Sequence, residues 1–311
     1  MNRIIFLSLL LFSFFITSGF GQNTYDFLRI DNSARAGALG GTFVSNNDDA
    51  DVIFYNPAGI YSLHTNPISF SFVKYLMDIN LASLSYSTEI EGVGRFGAGV
   101  KYINYGSFDE ADEYGNRTGD FSANEFAFVV GYSNELDKNF NYGINAKFIY
   151  SGIADRSSTA LAADLGLQYI LPESNWFFGF AVLNAGGQLS TYYETREELP
   201  LDVVLGLSKR LENLPLKLSV DFHRLNEKRD EFYQKFKAFT VGAEFTLSKV
   251  VKLRFGYDNE RRSDFKIGST AGIAGFNAGL GLNISDYQFD YGYSSLGLVG
   301  GLHRVSISTS L

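Results

Sequence analysis

The run Phe140-Asn141-Tyr142-Gly143-Ile144-Asn145-Ala146-Lys147-Phe148-Ile149-Tyr150-Ser151 decides the fold class. Phe140, Tyr142, Ile144, Ala146, Phe148 and Tyr150 share one face; Asn141, Gly143, Asn145, Lys147, Ile149 and Ser151 share the other. Strict period-two alternation over this length is a strand pattern, not a helix pattern. The division recurs along the chain. Leu161, Ala163, Leu165, Leu167 and Tyr169 oppose Ala160, Ala162, Asp164, Gly166 and Gln168. Leu214, Leu216, Leu218, Val220 and Phe222 oppose Lys217, Ser219, Asp221 and His223. Tyr287, Phe289, Tyr291 and Tyr293 oppose Gln288, Asp290, Gly292 and Ser294, and Val305, Ile307, Thr309 and Leu311 oppose Arg304, Ser306, Ser308 and Ser310.

One face is large and apolar, the other small, polar and Gly-rich. A soluble sandwich turns the apolar face to a core; an outer-membrane barrel turns it to lipid and its polar face to the lumen. Strands of about 9–12 residues suit a tilted membrane span, where soluble strands run ~5–6. Aromatics recur at strand ends, at Phe140, Tyr150, Tyr169, Trp176, Tyr287 and Tyr293, as interfacial girdles require. Strands are expected to start near residues 67, 79, 94, 121, 140, 158, 175, 201, 214, 237, 250, 271, 285 and 300. Fourteen is even, as single-chain bacterial barrels require. Connections after even strands are short (89–93, 135–139, 172–174, 211–213, 247–249 and Ile284). Those at 105–120, 185–200, 225–236 and 259–270 are long. Short periplasmic turns and long outer loops give this asymmetry, with strand one rising from the periplasm and Leu311 ending there. The reading is an all-β, 14-stranded antiparallel transmembrane barrel over residues 67–311.

Composition agrees. The 311 residues are 45% hydrophobic and 16% aromatic, with 32 Gly and only 19% charged. With no Cys there is no disulfide scaffold, thiolate zinc site or catalytic cysteine. A net charge of −8 gives no nucleic-acid footprint. Residues 1–21 read as a signal peptide: Arg3, an apolar run over 4–16 broken by Ser8 and Ser13, then Gly19 and Gly21. The run is short for a spanning helix, which needs ~20 apolar residues. Cleavage is expected between Gly21 and Gln22.

Residues 22–66 lack the alternation. A 14-stranded lumen is too wide for its own side chains to fill, and this segment is expected to plug it. Ser33, Arg35, Gly37, Gly40 and Gly41 lie in a small-residue stretch, where Gly40-Gly41 suits a turn with unusual backbone angles. Asn56-Pro57-Ala58-Gly59 reads as a turn that stops regular structure. Lys101, Lys147, Asp164, Lys217, Asp221, Glu244, Lys252, Arg254 and Arg304 fall on polar strand faces. They are expected to form ion pairs that lock plug to wall, with Arg35 a partner for the carboxylates, because an unpaired charge away from water is costly.

Chemistry-bearing patterns are few. Ser71 and Lys74 have Ser-x-x-Lys spacing but lie on a strand, where residues three apart face opposite sides. Asp48, Asp49 and Asp51, with Asn46 and Asn47, offer calcium ligands without a full loop pattern; a solvated acidic turn is expected. Asp109, Glu110, Asp112 and Glu113 form an acidic cluster in the 105–120 loop, suited either to a partner contact or divalent cations bridging lipopolysaccharide, or equally to a solubilising loop. Glu194, Arg196, Glu197 and Glu198, then Glu227 to Glu231, and Arg261-Arg262 mark the other long loops as highly charged; a hydrated rim is the default reading, with contact surfaces for a partner or lipopolysaccharide as the alternative. No catalytic, cofactor or metal site is assigned.

The stretch 33–59, with its Asn56-Pro57-Ala58 step, resembles the N-terminal hatch of FadL-like barrels and, more narrowly, the PorV/PorQ family of type IX secretion components. The block Tyr102-Ile103-Asn104-Tyr105-Gly106-Ser107-Phe108, with Ala111-Asp112-Glu113-Tyr114-Gly115-Asn116 and Thr118-Gly119-Asp120-Phe121-Ser122-Ala123, is most similar to the PorQ branch. The resemblance covers essentially the whole mature chain. It implies a plugged barrel that holds a PorZ-like surface protein alongside a PorU–PorV sortase pair. That complex processes cargo with C-terminal sorting domains and joins it to lipopolysaccharide. The superfamily alone implies an alternative, a transporter of hydrophobic small molecules.

Overall fold

The computed structural model describes residues 24–266 and 272–311. The expected signal peptide and the Gly21–Gln22 cleavage site lie outside the described residues. The strands are β1 (Pro67–Lys74), β2 (Asn80–Ile90), β3 (Gly94–Ala111), β4 (Arg117–Asp137), β5 (Phe140–Ile153), β6 (Arg156–Leu171), β7 (Trp176–Ser190), β8 (Asp202–Arg210), β9 (Leu216–Phe222), β10 (Phe239–Thr246), β11 (Val251–Asp258), β12 (Phe276–Ile284), β13 (Tyr287–Ser295) and β14 (Gly301–Ser310). Each pairs antiparallel with its sequence neighbours, and β1 pairs with β14, so the sheet closes as a barrel. Closure leaves no free sheet edge around the wall.

The alternation expected from sequence is the inside–outside division of this wall. On β5 the buried set is Asn141, Gly143, Asn145, Lys147, Ile149 and Ser151. Ile144 and Phe148 are exposed, as are Phe70, Leu84, Phe128, Leu165, Phe180, Leu205, Phe255, Tyr291 and Ile307 on other strands. An apolar exterior around a polar interior is the inverse of a soluble barrel. Outward aromatics join across strands near the short-turn end (Phe96–Tyr132–Tyr142, and Phe140–Tyr169–Phe178). They also join near the opposite end (Phe239–Tyr257–Phe276).

Two differences from the sequence reading matter. Residues 105–120 are not a long loop. β3 and β4 continue through them as a projecting hairpin with its turn at 112–116. The Phe108–Phe121 stack and the cross-strand pairs Ser107↔Ser122 and Asp109↔Asp120 hold it extended. The wall is also uneven: β3 to β7 run 14–21 residues, whereas β8 to β13 run 7–9. One side of the loop-bearing rim is therefore tall and the other low.

Elements of residues 24–66 pack against the wall strands. A small helix α1 (Ala34–Ala38) packs on β11 to β14, and the 3-10 helix Pro57–Ser62 packs on β3 to β6. The 3-10 helix Ala50–Phe54 packs on β1 to β3.

Candidate functional site

The inner wall has a glycine floor. Gly97 faces Gly131, Gly143 faces Gly166, Gly179 faces Gly206, Gly242 faces Gly256 and Gly279 faces Gly292 in cross-strand register. The N-terminal segment rests on this floor, so a Cβ would strike backbone or side chains there. Gly292 meets Ala34, Gly256 meets Gly40, Gly179 meets Val44, and Gly143 and Gly166 meet Pro57 and Asn56. Gly enriched on the polar face is therefore a steric requirement for backbone-to-backbone approach.

Within the segment, Ser33 caps α1, its Oγ accepting from Ala36 N at 3.0 Å. Gly37 leaves room for the Arg304 side chain. The chain then reverses through Gly40 and Gly41, at φ 72° and 87°. Asn56 does more than stop the chain, correcting the sequence reading. It is the N-cap of the 3-10 helix Pro57–Ser62, with Pro57 in the first turn. Its Oδ1 accepts from Ala58 N at 3.1 Å, while Nδ2 donates to Val44 O at 2.7 Å and to Leu167 O of β6 at 3.1 Å. Gly59 sits where a Cβ would meet Val52 and Asn46 O.

The inward charges hold this segment. Arg35 Nε and Nη2 donate to Glu244 Oε2 and Oε1 at 2.9 and 3.0 Å, and Nη1 lies 2.9 Å from Asp48 and 3.3 Å from Asp49. Arg254 extends the network, donating to Glu244 at 2.7 Å and Asp290 at 2.5 Å. Asp221 accepts from the backbone N–H groups of Phe43 and Val44. Lys217 donates to Asn46, Lys101 to the carbonyls of Leu28 and Ile30, Arg95 to that of Leu63 and Arg304 to that of Asp31. Lys147 pairs with Asp164 on the wall itself at 2.8 Å. A buried charge is tolerated when paired and hydrogen-bonded, as Arg35, Glu244 and Arg254 are. Lys101, Lys217, Asp221 and Arg304, expected in ion pairs, instead bind backbone or neutral side-chain groups of the segment.

The acidic run 48–51 is only partly solvated: Asp48 is exposed, whereas Asp51 is buried. Asp48 and Asp49 face Arg35, and Asp51 accepts from Ser69 at 3.0 Å and Ser85 at 2.7 Å. Among the described residues no cluster of three or more His, Asp or Glu is arranged for a metal ion. Ser71 is buried against Ser306 and Asp51, and Lys74 is exposed, so the pair has no joint chemistry.

Residues 21–168 match the family of the Type IX secretion system protein PorV. The match spans the N-terminal segment, β1 to β5 and most of β6. Among curated proteins, none matches the chain by sequence. The barrel of the Pseudomonas putida toluene transporter TodX superposes with a TM-score of 0.61 at 14% identity, over 94% of this chain and 98% of that one. A Pseudomonas aeruginosa FadL homologue superposes at 0.56 and 11% identity, over 90% and 99%. At these identities the likeness is one of fold.

In the PorV-matched stretch, the acidic cluster occupies the projecting hairpin. Asp109 and Glu110 stand on β3, and Asp109 pairs with Arg117 at 3.0 Å. Asp112 is committed to the turn: it accepts from the Asn116 side chain and from Asn116 N and Tyr114 N, and these donors hold its pKa down. Glu113 and Tyr114 occupy the exposed tip.

A cavity of about 220 Å³ opens above the segment toward the low rim. Its lining mixes charges of both signs, among them Arg29, Asp31, Lys101, Asp202 and His223. His223, just past β9, lies 3.4 Å from Asp202. Burial pushes its pKa down, but the Asp202 hydrogen bond and charge outweigh this and raise it to about 9. Arg261, expected on a charged outer surface, instead turns inward to Asp31 and Asp258, each at 3.4 Å. The sequence signal missed for it was Asp258, which caps the helix α2 (Asn259–Asp264) and sets Arg261 one turn in.

Proposed function

We propose that this protein is a non-catalytic outer-membrane β-barrel component of the type IX secretion system, closest to the PorQ branch, with residues 22–66 as a fixed plug. The observation that carries the reading is the family match over residues 21–168. The charge-latched segment supports it, because a lumen closed by Arg35, Asp221 and Lys101 contacts favours a scaffold over a conduit. In this reading Gly21–Gln22 is the signal cleavage site. The projecting hairpin, with Asp109, Glu110 and Glu113 exposed and Asp112 shaping its tip, contacts the surface partner. That partner is a PorZ-like protein of the complex that attaches C-terminal-domain cargo to lipopolysaccharide, alongside a PorU–PorV pair. Deleting the gene tests it. Loss of surface-attached, lipopolysaccharide-modified cargo is expected; undiminished attachment overturns the reading. Crosslinking of the native outer membrane is expected to recover the PorZ-like partner.

A second reading, a transporter of hydrophobic small molecules, has the shared fold with TodX, described as a toluene transporter, in its favour. The mixed-charge lining of the 220 Å³ cavity weighs against an apolar cargo. Co-purified lipid or saturable uptake of an aromatic hydrocarbon would favour transport.

A further inference from the structure

The connection between β9 and β10 carries an unusual surface. Its 3-10 helix Phe232–Lys237 reads Phe-Tyr-Gln-Lys-Phe-Lys, with no carboxylate. Phe232 is 76% exposed, Tyr233 60% and Phe236 37%. These side chains are held on the outside of the wall. Phe236 packs edge-on to Phe222 at 5.4 Å and Phe232 packs on Phe236 at 5.4 Å. Phe222 ends the outward row of β9, since its neighbour Asp221 is fully buried inside. Phe222 is also the register partner of Phe239, which leads into the Phe239–Tyr257–Phe276 belt. The helix therefore extends the outward apolar row beyond the last ladder residue.

We propose that the 232–237 helix is an interfacial anchor whose aromatic side chains lie among the lipids of the outer leaflet. The inference rests on the outer-membrane reading and adds a second membrane contact, at the low side of the rim. Continuity with the lipid-facing row is the main argument. A loop meant for water gains nothing by presenting three aromatic rings in five residues. Rings with a neighbouring cation suit the headgroup level, where an apolar body and a polar tip are both accommodated. Lys235 and Lys237 supply the cations. Lys237 Nζ lies 5.4 Å over the Tyr233 ring, and Lys235 Nζ reaches back to Leu225 O at 3.4 Å. The helix is tied down at its end, with Asn259 Nδ2 donating to Lys237 O at 2.9 Å, so the rings are presented in a fixed orientation. Anionic headgroups complement its two positive charges.

The test uses tryptophan as a depth reporter in the full chain. Trp176 is the sole Trp, so W176F gives a silent background. Into it are placed F232W, the wall control F255W and the hairpin-tip control Y114W. Each folded barrel is reconstituted in vesicles of phosphatidylcholine and phosphatidylglycerol with brominated acyl chains. Blue-shifted emission and bromolipid quenching are expected for F232W and F255W; Y114W stays red-shifted and is quenched only by aqueous acrylamide. F232W behaving like Y114W while F255W is quenched by lipid overturns the anchor and leaves the barrel reading intact. Failure of F255W to be quenched overturns the membrane reading itself. Y233W, on the same helix, repeats the measurement should F232W not fold.

Discussion

Arg35 and Glu244 meet inside the barrel as a two-pronged ion pair, although 209 residues separate them in the chain. Both are buried, at 2% and 6% exposure. Removing one partner of such a pair leaves an uncompensated charge, at a cost of about 3–5 kcal/mol. Glu244→Ala strips the shared carboxylate from Arg35 and Arg254 together and is expected to lower the unfolding free energy of the detergent-solubilised barrel by that order, read as a lower urea midpoint. Arg35→Met with Glu244→Met leaves no orphan in that pair and is expected to cost less than the single change. A double variant as unstable as Glu244→Ala would show that the pair is not the latch.

Gly143 and Gly166 form one square of the glycine floor, directly under Pro57 and Asn56. Gly166→Ala places a Cβ against Asn56 Oδ1, and overpacking of this kind costs about 1–3 kcal/mol. The N-terminal segment is expected to lift, making residues 24–66 sensitive to limited proteolysis in the intact barrel. Gly187→Ala is the control, since nothing lies within 4 Å of its would-be Cβ. Equal protease resistance in both variants would remove the floor argument.

Asn56 separates two roles by chemistry. Asn56→Ala loses the cap, worth about 1 kcal/mol, and strips a donor from the carbonyls of Val44 and Leu167. Asn56→Asp keeps the capping oxygen but loses that donor and adds a buried charge. It is therefore expected to be the less stable of the two by thermal gel-shift of the folded barrel. The reverse order would mean that the cap dominates the clamp.

His223 makes the low rim pH-dependent. Its pKa is raised to about 9 beside Asp202, from an ordinary value near 6.5. A raised folded-state value means stability that is fully present below about 6.5 and lost as pH climbs through about 9. Barrel stability is expected to fall between pH 6.5 and 9, and His223→Gln is expected to flatten that slope. An unchanged slope in the variant would assign the loss to other groups.

The strands were readable because each wall residue meets one of two environments, and alternation in polarity records which. Every observed strand start lies within five residues of its expected position. The inward charges were readable for the same reason. The hairpin over 107–122 was not, because both of its faces meet water beyond the wall and its sequence carries no apolar alternation. Arg261 was misplaced because a charged residue in a long connection looks the same whether it faces solvent or Asp31.

The amino-acid pattern by itself determined a barrel with an apolar exterior, its number of strands, and a non-alternating segment ahead of the first strand. Only the closed structure decided which charge meets which. Arg35 could have paired with Asp164, Asp221 or Glu244 on sequence grounds. The choice depends on where β1 closes on β14 and on how the Gly40–Gly41 reversal and the Asn56 cap thread the segment across the glycine floor. Those are contacts between residues far apart in the chain, and hydrophobic periodicity carries no record of them.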